Sequence, residues 1–213
     1  MSIKKCVVLF SGTGSNLENL LVHQDKLKDK LKYIHAFTDN SDAGGINVCK
    51  KYNLQVTIGQ KENINKDLER FIANVNPDLI ILSGYMKIIP PNIVEDNIGR
   101  IINIHPSLLP KYPGLKTYEK VISNKDEPHG ATVHFVTKEL DQGPIILQGK
   151  FLVNNKMTKS YLEKLTHKTE YIIFPIVIEW FADNLLEYHN NSVILKNEII
   201  VSPIIYMIHT DDL

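Results

Sequence analysis

Two short runs constrain this chain more than any other feature. Residues 5–11 (Lys-Cys-Val-Val-Leu-Phe-Ser) and 78–83 (Asp-Leu-Ile-Ile-Leu-Ser) carry apolar side chains at consecutive positions, not alternate ones. A strand with one wet face alternates; a strand apolar on both faces belongs in a parallel sheet covered by helices on both sides. Residues 32–38 and 54–58 read as further strands. Helical spacing separates them: Leu17, Leu20, Leu21, Leu27 and Leu31 in a helix from Asn16, a short helix over 44–52, and Ile64, Leu68, Phe71, Ile72 and Val75 over 63–75. This alternation predicts a doubly wound, mostly parallel α/β fold over roughly the first 100 residues. Right-handed crossovers then put the strand C-termini, and any ligand, along one edge.

Past residue 110 the pattern changes. Thr132–Thr137 and Ile145–Val153 alternate, as antiparallel strands added to a sheet do, and 158–183 read as one long helix with a bend at Pro175. Leu186 to Ile205 suggest short strands with a turn near Lys196 and Asn197. With no repeat and no linker, residues 1–213 read as a single domain. It has an N-terminal phosphate- or nucleotide-binding lobe over about 1–100, a C-terminal catalytic lobe over about 101–190, and a tail over 191–213.

Several function classes drop out on charge and composition. Lys plus Arg (24) equal Asp plus Glu (24), so there is no basic surplus to neutralise phosphates and nucleic acid is not the expected partner. Two cysteines, Cys6 and Cys49, supply neither a disulfide framework nor metal-ligand spacing. The N-terminal apolar run is too short for a signal peptide and no stretch reaches membrane-span length, so a cytoplasmic protein with no membrane contact is expected.

Four segments carry chemistry. Ser11-Gly-Thr-Gly-Ser-Asn16 joins the first strand to the first helix. It reads as a monophosphate cradle of backbone N–H groups at a helix N-terminus, as a tight capped turn, or as part of a dinucleotide site. It is neither a Walker A loop nor a full Gly-x-Gly-x-x-Gly. In Asn103-Ile-His-Pro-Ser-Leu-Leu-Pro110, the period of two puts Asn103 and His105 on one face at a strand's C-terminal end, ahead of a proline-fixed loop. An amide can hold a carbonyl oxygen and an imidazole can handle a proton. Asp141, turned by Gly143-Pro144, is the carboxylate that would tune that imidazole. His134 reads as structural, as support for the site, or as a direct participant in it. The loop after Leu82, through Met86 to Pro90, either grips a flat ring or simply covers the sheet end.

Taken in order, Ser11–Leu17, Ser83–Met86, Asn103–Gly114, His129–His134 and Glu139–Gln148 resemble the folate-dependent formyltransferases. The phosphate loop narrows the likeness to the glycinamide ribonucleotide branch, over residues 4 to about 187. The resemblance implies 10-formyltetrahydrofolate as co-substrate, 5-phosphoribosylglycinamide as acceptor, no metal, and a monomer or homodimer. It implies catalytic roles for Asn103, His105 and Asp141, and acceptor binding by Gly14, Ser15, Asn16 and Glu170. Folate binding falls to Met86, Lys87, Ile88, Ile89, Asn103, Thr137, Lys138, Glu139, Leu140 and Asp141, with a basic contact at Lys61. His134 supports them from behind.

Overall fold

The computed structural model describes residues 2–153 and 157–209. It divides into two compact units, residues 1–103 and 104–213.

The first unit alternates strand and helix: β1 (Lys4–Phe10), α1 (Ser15–Val22), β2 (Leu31–Thr38), α2 (Gly45–Lys51), β3 (Val56–Ile58), α3 (Ile64–Val75), β4 (Leu79–Leu82), α4 (Pro91–Asp96) and β5 (Ile101–His105), in which the unit ends. The strands run parallel in the order β5-β4-β1-β2-β3. β1 and β4 are central, and Cys6 to Phe10 and Leu79 to Leu82 are buried, as consecutive apolar residues require. In register, Leu9 stands opposite Leu82 and Phe10 opposite Thr38. The segments leaving β1, β2 and β4 therefore emerge side by side at the strand C-termini.

The expected helix from Asn16 to about Leu31 is shorter. α1 stops at Val22, Gln24–Leu27 is a 3-10 turn, and Leu31 opens β2. Leu27 and Leu31 are buried at helical spacing, but on two different elements. The charged run Lys28 to Lys30 between them has no apolar side chain to bury.

The second unit contains α5 (Thr117–Asn124), β6 (Pro128–Phe135), β7 (Ile145–Leu152), α6 (Lys159–Ala182), β8 (Leu186–His189), β9 (Ser192–Leu195), β10 (Glu198–Ile200) and β11 (Ile204–Met207). β6 and β7 pair antiparallel as expected, and β11 joins β7 in parallel. β8, β9 and β10 form a separate antiparallel meander. Its two turns, Asn190-Asn191 and Lys196-Asn197, have positive φ at both residues, the geometry that suits tight hairpins. α6 runs unbroken through Pro175. Gly149 lets it approach β7, since a Cβ there would strike Thr169 and Ile173. The mostly parallel sheet, antiparallel additions and long C-terminal helix match the expected fold class. α4 and α5 were not foreseen. Each is short and buries only a pair of side chains, Ile93 with Val94 and Thr117 with Val121.

Candidate active site

In the first unit the glycine loop leaves β1 and enters α1. Gly14 is the helix N-cap, with φ of 80°, and no side chain caps the helix. Ser15 and Asn16 thus lie in the first turn, where α1's orphan N–H groups and positive dipole end favour an anion. Gly14 is required on two counts. Its φ is left-handed, and a Cβ would collide with the backbone of Gly45 at the start of α2. The nearby Glu18 carboxylate is engaged by Lys51 Nζ at 2.6 Å, which offsets its charge beside the cradle.

The second loop of this unit leaves β4. Met86 and Ile88 are 63% and 72% exposed, Lys87 is exposed, and Ile89 is buried. Two apolar side chains held in solvent by a buried neighbour make a surface that can receive a flat ring. Lys61 is exposed in the turn before α3. Asn103 is half-buried on β5, opposite Leu82, and strand periodicity sets it on the same face as His105.

The second unit holds a tight polar cluster. His105 is 5% exposed. Its Nε2 lies 2.9 Å from the Tyr112 carbonyl and its Nδ1 3.4 Å from Asp141 Oδ2. Both ring nitrogens therefore face oxygen atoms. Asp141 accepts the Gly114 N–H on Oδ2 at 2.8 Å, while Oδ1 sits 3.7 Å from His134 Nε2. His134 is nearly fully buried, and burial drives its pKa well below the usual histidine value. It is neutral at pH 7, and the proton sits on Nδ1, 2.8 Å from the Phe135 carbonyl. Thr137 to Leu140, which lead into Asp141, are half-buried to exposed.

The proline-rich loop after β5 is pinned by residues that the sequence did not single out. Thr132 donates to the Ser107 carbonyl at 2.6 Å and accepts the Leu109 N–H. Gln148 donates to the Leu109 carbonyl at 2.8 Å, and Ser107 Oγ donates to the Lys111 carbonyl at 2.7 Å. These bonds place the Tyr112 carbonyl that orients His105. Glu170 on α6 is 3% exposed and ion-pairs with His167 Nδ1 at 2.9 Å, which raises the pKa of His167. A carboxylate so deep in a helix is costly unless paired, which fits a role beyond solvation. Among the described residues no group of three or more His, Cys, Asp or Glu side chains could hold a metal, and no helix is long and apolar enough to cross a membrane.

Residues 4–178 match the family described as Formyl transferase. The chain is 38% identical over 200 residues to the phosphoribosylglycinamide formyltransferase of Escherichia coli (strain K12), covering 90% of this chain and 93% of that one. It is 36% identical over 204 residues to the Haemophilus influenzae enzyme of the same name, covering 92% and 95%. Among solved structures, a phosphoribosylglycinamide formyltransferase from Coxiella burnetii superimposes with a TM-score of 0.89 at 33% identity, over 96% of this chain and all of the other.

Proposed function

The chain belongs to the formyl transferase family, and from that premise we infer that it carries the formyl group of 10-formyltetrahydrofolate to the amine of 5-phosphoribosylglycinamide. The products are formylglycinamide ribonucleotide and tetrahydrofolate, a step of de novo purine biosynthesis. The observation that carries this reading is the full-length match to phosphoribosylglycinamide formyltransferases together with the intact His105–Asp141 pair. A protein that only bound folate would gain nothing from holding a carboxylate against a buried imidazole.

The residue roles are those the resemblance implies, taken together with the chemistry each group can supply. The N–H groups at Gly14, Ser15 and Asn16 hold the acceptor's phosphate. Glu170 binds the acceptor. Met86 to Ile89, Thr137 to Leu140 and Lys61 serve the folate. As the amine attacks the formyl carbon, negative charge develops on the formyl oxygen, where the Asn103 amide and the His105 ring stabilise it. Nε2 of His105 is committed to the Tyr112 carbonyl, so the proton available to the reaction is the one on Nδ1. Asp141 Oδ2, 3.4 Å from Nδ1, orients the ring. The intermediate then collapses: the bond from the formyl carbon to the folate nitrogen breaks, and the proton lost by the amine reaches that nitrogen. Asp141 and His105 relay it. No covalent enzyme intermediate is needed, and Asn103 contacts folate as well as the reacting oxygen. His134 acts on the reaction only through Asp141.

The family match runs without a break across residues 103 and 104, which supports residues 1–213 acting as one formyltransferase domain. The protein works in the cytoplasm as a monomer or homodimer on small molecules alone. The test is to mix purified protein with 10-formyltetrahydrofolate and follow tetrahydrofolate, with and without 5-phosphoribosylglycinamide. Release that depends on the ribonucleotide supports the reading. Release without it indicates a deformylase and overturns the acceptor, and no release in either case overturns the reaction.

A further inference from the structure

Ser11 is the last residue before the glycine loop, and each of its polar groups is spoken for. Its N–H donates to the Gly84 carbonyl at 3.1 Å, and its carbonyl accepts from Asn40 Nδ2 at 3.1 Å. Its hydroxyl donates to Asp39 Oδ1 at 2.5 Å and accepts the Met86 N–H at 2.8 Å. The partners come from the C-terminal ends of three adjacent parallel strands: Ser11 after β1, Asp39 and Asn40 after β2, and Gly84 and Met86 after β4. Asn40 is itself braced, since its N–H donates to Thr38 Oγ1 and its Oδ1 accepts the Asp42 N–H. Ser11 is thus the piece that fixes one loop against the other.

The hydroxyl chemistry gives the arrangement a direction. A serine O–H has one proton and two lone pairs. A neighbouring N–H can count on a serine lone pair only if the proton points elsewhere. The Asp39 carboxylate is acceptor-only and draws the proton to itself, which turns a lone pair toward Met86. Without Asp39 the hydroxyl rotates freely, and the Met86 N–H loses a partner of fixed orientation. A carboxylate beside an anion cradle is otherwise unfavourable, so its presence asks for a compensating task.

We propose that Asp39 is a positioning residue that acts through the Ser11 hydroxyl on the Met86 N–H and so sets the entry of the folate-binding loop. This rests on assigning Met86 to Ile89 to the folate. The exposed Met86 and Ile88 side chains on this loop contribute to binding only while the backbone holds them.

The test compares Asp39→Ala, Asp39→Asn and Ser11→Ala with the wild-type protein, measuring kcat and both Michaelis constants. Equilibrium binding of tetrahydrofolate and thermal unfolding are followed on the same samples. Asp39→Ala raises the Michaelis constant for 10-formyltetrahydrofolate and weakens tetrahydrofolate by roughly tenfold, the worth of one charge-assisted hydrogen bond, with the acceptor's constant moving less than about twofold. Ser11→Ala shifts the same constant in the same direction. Asp39→Asn restores near wild-type values, because its amide oxygen still accepts the Ser11 proton. An Asp39→Ala protein with unchanged folate affinity overturns the proposal. So does an equal rise in both Michaelis constants, or an Asp39→Asn protein no better than the alanine variant. Should Asp39→Ala fail to fold, Ser11→Ala with unchanged folate affinity overturns it instead. A wild-type protein that neither turns over nor binds tetrahydrofolate sinks the parent reading; wild-type activity with indifferent variants sinks only this one.

Discussion

Asp141→Asn separates charge from shape at the reacting centre more cleanly than any other single change. The carboxylate touches three groups: the Gly114 N–H at 2.8 Å, His105 Nδ1 at 3.4 Å and His134 Nε2 at 3.7 Å. An asparagine can satisfy all three sites without its charge. Its oxygen, set where Oδ2 now lies, still accepts from Gly114 and still faces His105 Nδ1. Its Nδ2 faces the Nε2 lone pair of a neutral His134. The backbone suits it as well, for Asp141 has φ of 54° and asparagine tolerates that region readily. What disappears is the charge. At 3.4 Å and an effective dielectric of about 20, a carboxylate and an imidazolium attract by about 5 kcal/mol. Part of this is already felt before the reaction begins. If about half is realised only as charge develops on the formyl oxygen, the barrier rises by 2 to 3 kcal/mol and kcat falls roughly 100-fold. The assay is tetrahydrofolate release at saturating levels of both substrates, with thermal unfolding alongside. A fold of unchanged stability with kcat within about threefold of wild type would remove the Asp141 charge from the chemistry.

Three further outcomes follow from the same geometry. Asn103→Ala and His105→Ala should each lower turnover by at least about 100-fold, the usual cost of one transition-state donor, and near-normal steady-state rates in either variant would take that residue out of the mechanism. Ser15→Ala and Asn16→Ala should chiefly raise the Michaelis constant for the phosphorylated acceptor; an effect confined to the folate would refute the phosphate cradle. His129, 1% exposed between Tyr118 and Phe151, has its pKa pushed down to about 4 by burial, and its Nε2 has no hydrogen-bond partner among the described residues. Below the unfolded value of about 6.5 the unfolded chain binds a proton that the folded chain refuses until about pH 4, so stability complete at pH 7 is lost as pH falls through that window, by about 2 kcal/mol at pH 5. His129→Leu should flatten this difference between urea midpoints at pH 7 and pH 5, and identical pH dependence in the two proteins would contradict the assignment.

The parallel core was legible because both-face burial writes itself into sequence as consecutive apolar residues, as at Cys6 to Phe10 and Leu79 to Leu82. The shared face of positions 103 and 105 was legible for a related reason: both lie on β5, where side chains alternate with a period of two. Where local pattern misled, two elements shared one period, as when Leu27 and Leu31 continued α1's spacing into a 3-10 turn and a strand. Other parts of the site had no sequence signal at all. The Tyr112 carbonyl, the Thr132 hydroxyl and the Gln148 amide act across 7 to 39 residues through main-chain partners, and a backbone carbonyl is the same at every position. Glu170 is the intermediate case. Helical glutamates are ordinarily solvated, so only resemblance pointed to it, and no periodicity announced that its side chain is buried.

The cluster also shows why one carboxylate needs two unlike histidines. Burial keeps His134 neutral with its proton committed to Phe135, so it can neither give Asp141 a proton nor lend it positive charge. His105 differs in lying closer to the carboxylate, its Nδ1 3.4 Å from Asp141 Oδ2 against 3.7 Å from His134 Nε2 to Oδ1. The backbone supports this asymmetry at a cost. Tyr112, Lys116 and Asp141 all have positive φ, each an expense of about 1 kcal/mol or more for a residue with a side chain. Strain of this kind persists only where surrounding bonds over-determine it. Here the Gly114 N–H to Asp141 bond ties the two strained loops together, and the Tyr112 side chain is anchored by Asp126 Oδ2 at 2.8 Å. The left-handed turns, unfavourable locally, are what let a carbonyl and a carboxylate approach one imidazole from opposite edges.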